Sequence, residues 1–76
     1  MSKELLYNCL HSAFPNANIT IQTDDDRHYY AHIVSSCFSG QNQVAQHRMV
    51  YKAINHLIPD PIHALQLHTT AAEDTL

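Results

Sequence analysis

The chain has 76 residues, 45% of them hydrophobic and 14% charged, and carries a formal charge of −3 with histidine neutral. This suits one small domain over residues 1–76 and excludes a disordered chain. It also disfavours a generic polyanion binder, which needs clustered Lys and Arg.

Ser2 is the expected N-cap of a first helix. Leu5, Leu6, Cys9, Leu10 and Ala13 then fall on one helical face, and Pro15 stops the helix near Phe14. Asn16 to Asn18 make a turn. Ala17–Gln22 alternates as a half-buried strand, with Ile19 and Ile21 on one side. Thr23 to Arg27 is a polar connection containing three aspartates. Tyr29–Val34 is the second strand of a hairpin, with Tyr29, Ala31 and Ile33 facing the core.

Ser35–Gln43 is a polar connection in which Phe38 plugs the core edge. A second helix is expected over Val44–Leu57. Val50, Tyr51, Ile54, Leu57 and Ile58 share its apolar arc, and Arg48, Lys52, Asn55 and His56 lie opposite. His47 falls within the apolar arc, where a ring nitrogen would satisfy a neighbouring polar group. Pro59-Asp60-Pro61 ends this helix. Ile62–His68 is the third strand, and residues 69–76 are expected to fray. The order αββαβ makes an α+β fold: a mixed three-stranded sheet with both helices on one face.

No run approaches the ~18 apolar residues of a membrane span, and no signal-peptide pattern is visible. The expected compartment is therefore cytoplasmic, with Cys9 and Cys37 as buried or half-buried free thiols. Seven histidines stand against four Lys plus Arg, and protonating all of them would carry the formal charge from −3 to +4. His32 and His68 share the open sheet face, where they would form an adventitious metal pair if their strands are neighbours. His11 and His56 lie on polar arcs. Cys37 near His32 or His47 is a weak basis for an enzyme, because no carboxylate orients either histidine and the chain has little room for a pocket. No catalytic role is expected.

Three segments carry a resemblance. Ile33-Val34-Ser35-Ser36-Cys37-Phe38-Ser39-Gly40 resembles the "VS..F.G" segment of the BolA family. Val44 to Tyr51 resembles its "V.RHR.VY" helix, with Gln46 in place of a basic residue. Ile62-His63-Ala64-Leu65 resembles its "HAL" strand. The matches keep the family's order and spacing over roughly residues 28–68, and the short connection before His28 is similar to that of short-loop BolA/IbaG members.

The resemblance implies a type II KH-like fold without the GxxG loop, consistent with a single glycine. It implies an adaptor, monomeric when apo, that pairs with a monothiol glutaredoxin and glutathione. The pair would share a [2Fe-2S] cluster for iron-sulfur trafficking or iron and stress regulation, with no cofactor in the isolated protein. His63 is the implied ligand, and His28 is the candidate second ligand from the hairpin connection. Their plainer alternatives are an edge histidine capped by a carbonyl and a solvated turn histidine. Arg48, Lys52 and His47 are the candidate contacts for a partner or for DNA. DNA belongs to the alternative reading, a transcriptional regulator of stress and morphology.

Overall fold

A computed structural model describes residues 2–60 and 62–72. Helix α1 spans Ser2–Ala13, strand β1 Asn18–Thr23 and strand β2 His28–Ser35. A 3-10 turn at Ser36–Phe38 precedes helix α2, Gln43–Ile54, which tightens into a second 3-10 turn at Asn55–Leu57 before strand β3, Ala64–Ala71. The sheet order is β1-β2-β3, with β1 antiparallel and β3 parallel to the central β2.

The alternation in β1 and β2 explains the layering. Ile21, Tyr29, Ala31 and Ile33 turn to one face of the sheet and are buried with Leu6 and Leu10 of α1 and Val50 and Ile54 of α2. Burying each such Leu, Ile or Val contributes about 1.5–3 kcal/mol relative to exposure. Thr20, Gln22, Gln66 and His68 remain exposed on the other face, and Tyr30 and His32 are half-buried there. Phe38 is fully buried at the core edge and tilts against Phe14 with ring centroids 5.5 Å apart. The Ser35 side chain holds its turn by accepting the Cys37 N–H at 3.1 Å.

Several expectations are corrected. Ser2 does not cap α1 but is its first helical residue. Helix α2 begins at Gln43, because the Asn42 side chain accepts the Ala45 N–H at 2.9 Å and caps it there. The polar residue buried in the α2 arc is Gln46, only 5% exposed, rather than His47, and Val44 is 61% exposed. Gln46 fits the core because its amide is satisfied at both ends. Its Nε2 donates to the Gln41 carbonyl at 2.7 Å, and its Oε1 accepts from the Thr69 hydroxyl at 2.7 Å. A buried amide with both partners present avoids the desolvation penalty that excludes a lone one.

The third strand is displaced relative to the expected Ile62–His68. Ile62 is buried but precedes it, with its N–H donating to the Leu57 carbonyl at 2.9 Å. Thr69, Thr70 and Ala71, expected to fray, are strand residues in register with Ile33, Val34 and Ser35. Thr69 is only 2% exposed. The Ala72 N–H extends the pairing to the Ser35 carbonyl at 3.0 Å. Pro61 and the rest of the expected frayed tail, 73–76, lie outside the described residues. Cys9 is half-buried as expected, but Cys37 is exposed on its turn.

Candidate functional site

The two candidate ligands arrive from different segments at one rim of the sheet. His28 opens β2 directly after the aspartate turn, and its register partner on β3 is Ala64, the residue after His63. The backbone pins this arrangement. The Arg27 carbonyl accepts the N–H groups of both His63 and Ala64 at 3.1 Å, tying the entry of β3 to the hairpin turn. The His28 and His63 rings meet edge to face, with centroids 5.6 Å apart and planes inclined by 83°.

The turn is built to hold His28. Asp26 sits at φ 60°, a left-handed conformation that Asp tolerates better than most residues. Thr23 Oγ1 accepts the Asp26 N–H at 2.9 Å and donates to the His28 carbonyl at 2.8 Å. The Tyr29 hydroxyl donates to the Asp26 carbonyl at 2.7 Å and also bonds its carboxylate. Burial, reinforced by the Asp26 hydrogen bond, pushes the Tyr29 phenol above its ordinary range.

Asp25 organises the rest. Its Oδ1 accepts the Arg27 and His28 N–H groups at 3.0 and 2.9 Å, and its Oδ2 lies 2.8 Å from His28 Nδ1. A carboxylate partner makes Nδ1 the protonated nitrogen, so neutral His28 presents the Nε2 lone pair to a ligand. The same hydrogen bonds, from the His28 backbone first and its ring next, hold the Asp25 carboxyl well below the usual carboxylate range.

A group whose folded pKa is depressed stabilises the fold above its unfolded pKa, about 3.9, and that contribution disappears as pH falls through the lower folded value. Chemical denaturation of wild type and Asp25→Asn across pH 2–5 should therefore show a gap that is full near pH ~5 and narrows on acidification. A gap that widened in acid would contradict the assigned hydrogen bonds.

Among the described residues no group of three or more His, Cys, Asp or Glu side chains is placed to hold a metal ion. The rim brings two imidazoles together, with the Asp25 carboxylate behind one of them. Arg48 and Lys52 are exposed on α2, and neither forms an ion pair among the described residues. His47 is half-buried on the same helix, with no hydrogen bond to its ring among the described residues. No hydrogen bond or ion pair among the described residues joins these three to His28 or His63. Residue-by-residue reading set Asp24, Asp25 and Asp26 together beside His28 without singling out Asp25, whose side chain reaches forward to the His28 backbone and ring. It also missed the contact between α1 and the second 3-10 turn in which His56 Nε2 lies 3.8 Å from Cys9 Sγ.

No helix among the described residues is long and apolar enough to cross a membrane. Residues 8–74 match the family model described as BolA-like protein. The chain is 36% identical over 52 residues to the chloroplastic protein BOLA1 of Arabidopsis thaliana. That match covers 68% of this chain and 32% of the relative, about a third of its length. The solved structure of BolA1 from Arabidopsis thaliana superimposes with a TM-score of 0.80 at 24% identity, covering 96% of this chain and 94% of that one. A BolA protein from Ehrlichia chaffeensis is 35% identical, with a TM-score of 0.61 over 95% of this chain and 93% of the other. The family-model match over nearly the whole chain, on an αββαβ fold shared with solved BolA structures, places this protein in the BolA family.

Proposed function

We propose that this chain is an adaptor that binds a monothiol glutaredoxin with glutathione and co-ligates a [2Fe-2S] cluster through His63 and His28. The observation that carries this reading is the convergence of two imidazoles, from the hairpin turn and from the entry of β3, at one exposed rim. The donor set suits half of such a cluster. Imidazole is a good iron ligand, and two histidines can replace two thiolates on one iron. The glutaredoxin cysteine and the glutathione thiol would supply the thiolates on the other iron. When bound, a histidine-ligated cluster of this type provides one-electron chemistry at a higher potential than an all-thiolate one.

The chain's own residues do the positioning. Arg27 fixes where His63 leaves the turn, and Asp25 fixes the ring and tautomer of His28. A carboxylate behind a ligating histidine is the usual means of orienting it and raising its basicity.

The test mixes the full chain with a monothiol glutaredoxin, glutathione, ferrous iron and sulfide under reducing conditions, and follows visible absorption and circular dichroism. The expected result is a spectrum distinct from that of the cluster-bound glutaredoxin alone, in a one-to-one complex. A spectrum identical to glutaredoxin alone at every mixing ratio would refute the proposal.

A further inference from the structure

A second histidine pair lies on the same two strands, away from the rim. His32 and His68 are direct register partners on parallel β2 and β3. Their ring centroids are 4.8 Å apart, with planes inclined by 68°. Both project from the sheet face opposite the helices, His68 exposed and His32 half-buried. Four residues along β2 separate His32 from His28, about 13 Å at 3.3 Å per residue, so one ion cannot be shared between the two pairs.

The surroundings favour a ligand over a simple ring contact. His32 Nε2 lies 3.0 Å from Thr70 Oγ1, which steadies the ring and leaves Nδ1 as its second donor. No hydrogen bond engages His68 among the described residues. The neighbours on this face are uncharged: Thr20 on β1, Tyr30 beside His32 and Gln66 beside His68. Among the described residues no ion pair joins either imidazole to a carboxylate. The backbone register has already paired the two rings, so a chelate here requires little reorganisation. At Zn–N distances of about 2.0–2.1 Å, two nitrogens of a tetrahedral site stand roughly 3.3 Å apart. Ring centroids 4.8 Å apart are compatible with that separation.

We propose that His32 and His68 form a second metal site, a two-imidazole chelate for a borderline-soft divalent ion of the Zn2+ or Cu2+ class, with water completing the shell. Imidazole donors suit these ions, and a site with two protein ligands keeps positions open for an exogenous group. The proposal does not depend on the rim site or on a glutaredoxin.

The test uses Zn2+ alone, titrated into the full chain at neutral pH by calorimetry, with His28→Gln/His63→Gln as the background that removes the rim pair. One equivalent of Zn2+ should still bind in that background. Adding His32→Gln or His68→Gln should weaken it by more than the about ten-fold that losing even a supporting partner of a metal ligand costs. The unfolding midpoint without zinc should not change for His68→Gln, whose side chain is exposed on the open face. In the wild-type protein, zinc should shift the NMR imidazole signals of His32 and His68 together. Absence of binding in the rim-deleted background would overturn the assignment. So would binding indifferent to His32 and His68, or zinc shifts confined to Cys9, His56 or Cys37.

Discussion

Phe38→Ala should be among the most destabilising single substitutions in this chain, lowering the free energy of unfolding by about 3–5 kcal/mol. Phe38 is fully buried at the end of a three-residue turn and packs against Phe14, so its removal leaves a cavity lined by rigid neighbours. At ~0.05–0.15 kcal/mol per residue, a domain this size has roughly 4–11 kcal/mol in all, so the variant should be partly unfolded at ambient temperature. The control is Val44→Ala, 61% exposed on α2, which should stay within about 0.5 kcal/mol of wild type. Urea denaturation of both variants measures the difference. A loss under about 1 kcal/mol for Phe38→Ala would mean that the surrounding structure collapses into the space, which is the condition for a small cavity cost.

His63→Ala should abolish the heteromeric cluster signal while leaving the fold intact. His63 is exposed, precedes β3 and is held through its backbone N–H rather than its ring, so the alanine variant retains the Arg27 contacts. His28→Ala removes the other donor and should weaken the signal as well. Asp25→Asn keeps both imidazoles but removes the carboxylate behind His28, and the expected loss in cluster affinity is about 10–100-fold, the usual scale for such partners. The three variants are read by visible circular dichroism of the reconstituted complex. Glutaredoxin binding without iron is measured in parallel, so that lost ligation is distinguished from lost docking. A full heteromeric signal from His63→Ala would reverse the ligand assignment.

Much of the fold was legible because apolar residues keep the right periods. Ile19 and Ile21, then Tyr29, Ala31 and Ile33, alternate strictly, and the α2 arc through Val50, Ile54 and Leu57 repeats at helical spacing. Two of the misplaced parts share one cause: polar residues whose burial depends on a distant partner. Gln46 reads as a surface residue until Thr69 and Gln41 are seen to satisfy it, and Thr69 reads as tail until Gln46 is seen to receive its hydroxyl. The ends of β3 were illegible for the same reason, since Thr-Thr-Ala shows no apolar alternation and is held by pairing with β2. The histidines were visible one at a time. Their pairing was not, because it depends on a parallel register, and slipping that register by one residue would send His68 to the opposite face.

Both ring pairs, His28–His63 and His32–His68, join β2 to β3 or to its entry, a junction of higher contact order than the hairpin. The β1–β2 hairpin closes a short connection and can form locally. Parallel pairing of β3 must wait until the whole of α2 has been laid down between the strands, with its larger loop-closure entropy. A chain caught with only its hairpin formed would hold His28 and His32 on the same strand, each without its mate. The metal capacity proposed for either pair therefore requires the completed β2–β3 pairing, and an ion bound there would act as a ligand of the completed fold alone. It would resist unfolding by mass action, and a half-made chain would gain no such protection.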